Sequence, residues 1–267
     1  MKRKVFAYPY IVWMILFIVV PMLFLFYYMG TENGTFTFAR CISTITDASN
    51  WKVLGKSVLV ALVTTVICLI LGYPAAYILS RMKKTVASFL SVLFFIPMWM
   101  NFVLRTYAWK SILSMIPNLF GTAPLLGTTE AVILVLVYNF LPFMVIPLYN
   151  TLSKMDRSLI EASRDLGANG FQTFTRVVLP LSIPGIVSGV TMVLIPAITA
   201  FTVPVLIGNS KESYYGNLIE DAFKRVGEAH GGFSTGSTLA VILLICVLVS
   251  TLVMNHFDKD KEGGTLL

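Results

Sequence analysis

Long apolar stretches dominate this sequence and constrain its fold more than any other feature. Each is long enough for an α-helix to cross the hydrocarbon core of a bilayer, which takes about 20 residues at about 1.5 Å per residue. Six stretches meet this criterion, and they predict membrane spans over residues 6–29, 55–80, 86–110, 131–153, 178–207 and 237–257. The sequence therefore predicts an all-α integral membrane protein with six transmembrane helices.

The amino-acid composition is also that of a membrane protein. Of the 267 residues, 57% are hydrophobic and 12% are charged, whereas about a quarter are charged in an average soluble domain. The first span follows the basic segment "MKRK", as in a signal peptide, but it is too long for one and lacks a small-residue cleavage site. We therefore interpret it as a retained signal anchor.

Lysine and arginine are unevenly distributed between the predicted loops. If the N-terminus faces the cytoplasm, twelve of the 20 Lys and Arg residues lie on the cytoplasmic side and eight on the outer side. Cytoplasmic loops hold the excess of positive charge in membrane proteins, so the pattern predicts that both termini are cytoplasmic. The net charge of +7 then faces anionic lipid and requires no nucleic acid partner.

The polar intervals divide the chain into one membrane domain with short flanking segments. The predicted organisation is an N-terminal transmembrane helix with a cytoplasmic tip (1–30), an outer loop (31–54), the main transmembrane domain (55–257) and a cytoplasmic tail (258–267). A second outer interval, 208–236, contains "NLIEDAFKRV", which predicts a short helix.

Prolines are frequent within or near the predicted spans. Each removes a backbone donor and tends to kink its helix, which is tolerated in a membrane only where neighbouring protein or a wet cavity satisfies the freed carbonyl. Such kinks are consistent with plain helix packing or with a translocation path that they shape and flex. The prolines are Pro97, Pro142, Pro147, Pro184, Pro196 and Pro204.

No catalytic centre is predicted. His230 and His256 fall on opposite sides of the predicted membrane, which excludes a shared metal site. The glycines of "HGGFSTGS" are not followed by the lysine of a phosphate-binding loop, so the chain is expected to bind neither ATP nor another cofactor. Directional transport would then draw its energy from a partner protein or from an ion gradient.

Buried charges, which an ion-driven carrier needs, are scarce in the predicted spans. Arg105 and Glu130 lie near the outer ends of the third and fourth spans, where we expect them to extend into water. Asn101 and Asn139 lie deeper, and their amides either join helices by hydrogen bonds or face a cavity that admits substrate. A carrier or channel that works alone is therefore the weaker alternative.

The polar loop between the fourth and fifth spans carries signals of local structure. Asp156 is a good N-cap for a helix of about ten residues, and Gly167 suits the left-handed position after that helix. Asn169 is placed to cap a second short helix, in which Phe171 and Phe174 share a face. A helix–turn–helix that displays small residues and two aromatic rings is typical of a docking element, although a helix lying on lipid has a similar pattern.

The same loop reads "EASRDLGANGFQTFTRVVLP" from Glu161 to Pro180. It resembles the loop before the fifth span in type I permeases of ABC importers, where Glu-Ala-Ala-x-x-x-Gly is followed after nine residues by Ile-x-Leu-Pro. The spacing is intact here. The two departures, Ser163 for Ala and Val177 for Ile, conserve size.

This resemblance implies a fold, a location and a set of partners. In that family the coupling loop, here residues 154–177, docks on cytoplasmic ATPase subunits, and residues 55–257 would be the type I permease domain. A second permease subunit completing a heterodimer, two ATPase subunits and an extracytoplasmic binding protein are expected, in the cytoplasmic membrane of a bacterium. The expected coupling residues are Asp156, Glu161, Ala162, Ser163, Gly167 and Pro180.

Longer segments between residues 53 and 208 narrow the resemblance. The stretches "LGYPAAYILSRM", "IPMWMNFVLRTYAW" and "LVYNFLPFMVIPLYNTLSKMD" are similar to permeases of the spermidine/putrescine family. That implies a polyamine as cargo, with another small cation or organic solute as the alternative. A polycation path uses aromatic faces, although Trp and Tyr near span ends also form interfacial belts. The expected path residues combine aromatic residues of the third and fourth spans with the two asparagines, and they are Trp99, Asn101, Tyr107, Tyr138, Asn139 and Phe143.

Overall fold

The computed structural model describes residues 8–32, 35–116, 125–208, 213–225 and 232–262. Within these ranges the regular structure consists of helices and one short pair of strands. The predicted N-terminal tip before residue 8, His230 and the last five residues of the predicted tail lie outside them.

The elements follow one another with short connections. The helices are α1 (Tyr8–Met14), α2 (Val20–Met29), α3 (Ala39–Thr46), α4 (Ala48–Arg81), α5 (Lys84–Trp99), α6 (Phe102–Met115), α7 (Thr129–Lys154), α8 (Arg157–Asp165), α9 (Gly170–Thr173), α10 (Leu179–Leu181), α11 (Ile183–Ile198), α12 (Thr202–Ile207), α13 (Tyr215–Lys224) and α14 (Phe233–Glu262). Two connecting segments, Ile15–Val19 and Phe174–Val178, are π-helical. Strands β1 (Thr31–Glu32) and β2 (Thr35–Phe36) pair antiparallel.

The chain divides into two compact units. One comprises residues 1–55 and 213–246, and the other comprises residues 56–212 and 247–267. In the first unit, Arg40 on α3 forms an ion pair of 2.8 Å with the carboxylate of Glu32 on β1. This unit also contains α13, which confirms the short helix predicted in "NLIEDAFKRV".

Among the described residues, four helices are long and apolar enough to cross a membrane, and they confirm four of the predicted spans. They are Pro9–Met29, Ala48–Arg81, Thr129–Lys154 and Phe233–Met254. The predicted third and fifth spans are each bent pairs of helices instead of single helices. If each bent pair is one span, the described residues contain six spans.

The third predicted span breaks between α5 and α6, which meet at 88°. Pro97 lies in the last turn of α5, where it removes a backbone donor. Asn101 then starts α6 because its side chain accepts hydrogen bonds from the backbone amides of Val103 at 2.9 Å and Leu104 at 3.2 Å. Asn101 is thus an exposed helix cap at the break between the two helices, and its depth within the membrane stays a prediction.

The fifth predicted span breaks at Ser182, where the helices on either side meet at 63°. Pro184 follows in the first turn of α11 and has no N–H for a helical bond to Pro180. At the break itself, the Ser182 hydroxyl donates to the carbonyl of Leu179 at 2.8 Å. We call this break the elbow. It joins the polar loop to α11.

Helices α4, α7 and α11 pack closely in the second unit. The fully buried side chain of Met144 on α7 lies between two glycines. A Cβ atom on Gly72 of α4 would lie 3.0 Å from the Cγ of Met144, and one on Gly189 of α11 would lie 2.7 Å from its sulfur. Because these two glycines carry no side chain, α4 and α11 can both pack closely against α7.

Candidate functional site

The polar loop between α7 and α11 begins with a capped helix. The carboxylate of Asp156 accepts a hydrogen bond of 2.9 Å from the backbone amide of Ser158, in the first turn of α8. Hydrogen bonds from the Ser158 backbone amide and hydroxyl lower the pKa of Asp156 below its usual range. The predicted N-cap is confirmed.

A tight turn ends α8. Gly167 has a φ of +84°, the left-handed conformation that favours glycine. Its amide donates to the carbonyl of Arg164 at 2.8 Å, and the amide of Ala168 donates to the carbonyl of Ser163 at 3.1 Å. This pair of bonds is the Schellman motif, and it fixes the direction in which the chain leaves the helix.

The second helix of the loop is capped at its start. Asn169 accepts from the backbone amide of Gln172 at 2.8 Å, while the Gln172 side chain accepts from the amide of Asn169 at 2.9 Å. This reciprocal pair is a capping box. The prediction that Asn169 caps a second helix is confirmed.

Ser163 connects the two helices of the loop. Its hydroxyl lies 3.2 Å from the hydroxyl of Thr173, which is buried. An alanine at position 163 could not make this contact. Ser163, one of the two departures from the family pattern, therefore holds α8 against the second helix, and together with the caps it makes the loop a rigid unit.

The two halves of the loop motif line one groove of about 670 Å³. The apolar side chain of Leu166 is 89% exposed at its edge, and the guanidinium-bearing side chain of Arg176 also contributes to the lining. The lining residues are Leu159, Ala162, Ser163, Leu166, Gly167, Ala168, Gln172, Arg176, Val177, Pro180 and Leu181. Four of the six predicted coupling residues are among them.

The other two predicted coupling residues lie apart from this groove. Glu161 is exposed on α8 but does not line the groove. Asp156 lines a neighbouring depression of about 370 Å³ together with Lys154 at the end of α7. The groove thus collects the small residues of the motif and Pro180, whereas the acidic residues lie outside it.

The two aromatic residues of the loop point in different directions. Phe171 is 75% exposed, as a displayed residue should be. Phe174 packs edge-on against Tyr73 and Tyr77 of α4, with ring centroids at 5.6 Å and 6.1 Å. The prediction that both rings are displayed on one face is therefore wrong for Phe174. The sequence shows the ring but not the partner, which lies about a hundred residues earlier in the chain.

Arg105 is a buried cation that sequence reasoning placed in water. It is only 7% exposed, and its guanidinium donates to the backbone carbonyl of Pro97 near the C-terminal end of α5. It also lies over the rings of Phe102 at 5.9 Å and Tyr138 at 5.7 Å. Arg105 therefore stabilises the bend between α5 and α6, and the prediction that it extends into water is wrong. Glu130 is exposed in the first turn of α7.

The predicted path residues do not all converge. Tyr107 and Tyr138 line one cavity of about 430 Å³, next to Arg105. Trp99 is 87% exposed, and Phe143 packs edge-on against Phe140 at 6.2 Å. None of the other four predicted path residues lines that cavity.

Asn139 differs from the other predicted path residues. It is 1% exposed on the most buried of the four candidate spans, and in the described part of the chain neither polar atom of its amide has a hydrogen-bond partner. The interpretation of Asn139 as a residue that joins helices by hydrogen bonds therefore does not hold in this conformation. A buried amide without partners lowers the stability of the folded state by about 1–3 kcal/mol per lost hydrogen bond. Stability therefore does not explain an asparagine at this position, and a role in function is the alternative.

Comparison with known families places this architecture among transport proteins. Residues 68–263 match the family described as binding-protein-dependent transport system inner membrane component. Because the match covers well over half of the chain, the protein belongs to this family. It is an ABC importer permease and a multi-pass protein of the cytoplasmic membrane.

Individual relatives agree with this assignment. The chain is 35% identical over 266 residues to the spermidine/putrescine transport system permease protein PotB of Escherichia coli, covering 94% of this chain and 97% of that protein. It is 37% identical over 254 residues to the PotB protein of Haemophilus influenzae, covering 88% of each.

Solved structures show the same fold. A bacterial ABC transporter that imports the acidic polysaccharide alginate matches with a TM-score of 0.77 at 15% identity, over 97% of both chains. The MetNI methionine ABC transporter matches with a TM-score of 0.59 at 19% identity, over 78% of this chain and 94% of that chain. The type I importer permease fold that the loop motif implied is therefore confirmed.

Proposed function

We propose that this permease carries polyamines, spermidine or putrescine, inward across the cytoplasmic membrane. The observation that carries the proposal is the 35% identity to a spermidine/putrescine permease over 94% of the chain. The fold alone could not carry it, since a transporter of acidic polysaccharide has the same fold. A permease for another small cation or organic solute is the alternative.

We also propose that the coupling loop docks on an ATPase subunit through its groove. Caps at Asp156 and Asn169 and the turn at Gly167 make the loop stiff, so it would transmit a push instead of absorbing it. Its small residues permit close approach but contribute little to lipid binding. The exposed side chain of Leu166 supplies an apolar contact at the rim, and Arg176 supplies a charge for an acidic partner.

The proposed assembly includes partner proteins because this chain would supply the translocation path and its partners would supply the energy. No phosphate-binding loop occurs in the sequence, so ATP would be bound and hydrolysed by two separate ATPase subunits. A second permease subunit would complete the path as a heterodimer. An extracytoplasmic protein would deliver the polyamine, as the alginate transporter was crystallised with a ligand-bound periplasmic protein. The termini would face the cytoplasm.

Asn139 is the strongest candidate for the substrate path. Its amide, which has no hydrogen-bond partner within the described ranges, would gain hydrogen bonds in a conformation that admits water or a polyamine beside α7. Tyr107 and Tyr138 offer π faces to ammonium groups, each worth about 0.5–2 kcal/mol. Arg105 in the same cavity opposes a polycation there by like charge, so we assign the tyrosines a smaller part than Asn139.

Uptake by the reconstituted complex tests the cargo. The chain would be co-purified in mild detergent with its partners, placed in liposomes and assayed for uptake of labelled putrescine with and without ATP. ATP-dependent uptake that excess spermidine inhibits is expected. Uptake without ATPase subunits would favour an ion-driven carrier, and ATP-dependent uptake of a different solute that spermidine does not inhibit would favour the alternative cargo.

A further inference from the structure

One face of α4 carries aromatic side chains at helical spacing. Tyr73, Tyr77 and Arg81 follow one another at intervals of four residues, so they lie on one side of the helix. The guanidinium of Arg81 lies 5.0 Å from the centre of the Tyr77 ring.

The coupling loop inserts a ring between the two tyrosines. Phe174 meets both of them edge-on, at an interplanar angle of 90° in each case. Edge-to-face contacts of this kind are attractive beyond their apolar burial because of the ring quadrupoles. Phe174 begins the π-helical segment Phe174–Val178 that leads from the loop to the elbow.

A directed hydrogen bond adds to the ring contacts. The hydroxyls of Tyr73 and Ser182 lie 2.9 Å apart, and both residues are buried. Ser182 has a single hydroxyl proton, which it donates to the carbonyl of Leu179 at 2.8 Å. Tyr73 is therefore the donor to Ser182, and the chain of bonds runs from α4 into the elbow.

We propose that Tyr73, Tyr77, Phe174 and Ser182, together the aromatic clasp, form the contact through which movement of the coupling loop reaches α4. The loop is covalently continuous with α7 and α11, whereas the clasp connects it to α4 through side chains. If the elbow moved without α4, the buried hydroxyl of Tyr73 would lose its acceptor at Ser182, and Phe174 would leave both rings. The clasp therefore obliges α4 to follow the loop. This inference rests on the proposed docking of an ATPase on that loop.

Two tyrosine substitutions distinguish a loss of coupling through the clasp from a general loss of protein stability. Tyr73→Phe keeps the ring and removes the hydrogen bond to Ser182. Tyr77→Phe is the matched control, because its hydroxyl makes no hydrogen bond with the described residues. Loss of one hydrogen bond of average net strength corresponds to about a fivefold change in an equilibrium. We expect Tyr73→Phe to lower putrescine uptake per ATP hydrolysed about fivefold, and Tyr77→Phe to leave it unchanged.

A second measurement follows the movement without any cargo. In the full complex trapped with ATP and vanadate, hydrogen exchange of the wild-type chain should change both in the coupling loop and in residues 73–81 of α4. In Tyr73→Phe the change should persist in the loop and disappear from α4. Ser182→Ala should act in the same way, and combining it with Tyr73→Phe should add little, since both remove one contact.

Putrescine uptake and hydrogen exchange together show which proposal fails, the cargo or the clasp. A wild-type complex whose ATPase works without driving putrescine uptake would overturn the proposed cargo, while the exchange measurement would still report on the clasp. Equal propagation to α4 in wild type and Tyr73→Phe would overturn the clasp, whatever the cargo is. Phe174→Leu offers a further check, because it removes the ring that contacts both tyrosines and should weaken coupling at least as much as Tyr73→Phe.

Discussion

Gly185 on α11 lies so close to Thr151 on α7 that a Cβ atom on the glycine would approach the threonine hydroxyl to 2.7 Å. The same Cβ atom would lie 3.1 Å from the backbone carbonyl of Pro147, which cannot move as freely as a side chain. The two helices at the ends of the coupling loop are therefore held together by a contact that only glycine permits. Displacement of the loop would move them as a pair.

Gly185→Val should separate these two helices and destabilise the protein. Overpacking of this kind costs about 1–3 kcal/mol, and the expected result is a lower unfolding temperature in detergent with loss of uptake. Gly55→Ala on α4 is the control, because no atom of the described residues lies in contact with a Cβ atom there. Equal unfolding temperatures for Gly185→Val and the wild type would contradict the close contact.

Local sequence signals predicted the coupling loop well. Asp156, Gly167 and Asn169 act through backbone groups within three or four residues of themselves, so their caps and turn can be read from neighbouring positions. The apolar stretches likewise identified the spans, because length and composition are enough to mark a segment that crosses a bilayer.

Features that depend on distant partners were not predictable. Phe174 faces inward because α4 presents two tyrosine rings to it, and Arg105 is buried because the bend at Pro97 provides a carbonyl for it. At the bend, the side chain of Asn101 caps the start of α6. Hydropathy cannot distinguish one long span from two short helices at 88°.

The turn at Gly167 provides a test of how stiff the loop must be. In the described part of the chain no atom lies within 4 Å of a Cβ atom at this position, so the backbone conformation, and not a lack of space, limits a substitution there. Gly167→Ala should cost about 1–2 kcal/mol because L-residues disfavour the left-handed conformation, and it should lower coupled uptake. Gly167→Asn should be milder, since Asn tolerates that conformation. Equal uptake for the two variants would contradict the turn's role.

The cap at Asp156 should make the loop sensitive to acid. The lowered pKa of Asp156 means that its carboxylate stabilises the folded state above the unfolded-state pKa, and that this stabilisation is lost as the pH falls through the folded-state value. Thermal unfolding should therefore lose stability below about pH 4. Asp156→Asn keeps a capping side chain without titrating, so its unfolding temperature should fall less steeply with acid. An identical pH profile for both proteins would refute the cap's contribution.

Leu166 tests the docking surface directly. Leu166→Glu places a charge at the rim of the groove, on a side chain that is 89% exposed, so the chain should fold normally and co-purify with about tenfold less ATPase subunit, equivalent to about 1.4 kcal/mol of binding. Arg157→Glu, exposed on the same helix but outside the groove, is the control and should retain the ATPase. If Leu166→Glu instead released the loop from lipid vesicles without affecting ATPase capture, the loop would be a membrane-surface helix.

Asn139 tests whether an unpartnered amide marks the translocation path. Replacement by leucine removes two polar atoms that have no hydrogen-bond partner among the described residues, so Asn139→Leu should raise the stability of the protein by about 1 kcal/mol or more. If the amide gains partners when the path opens, the same substitution should favour the closed conformation and lower uptake about fivefold. Thr64→Val on α4 is the matched control, because it too removes a buried polar group, a hydroxyl that has no hydrogen-bond partner among the described residues. It should raise stability and leave uptake unchanged. Equal uptake by Asn139→Leu and Thr64→Val would place Asn139 outside the path. Its buried amide would then affect only the packing of the helices and not transport.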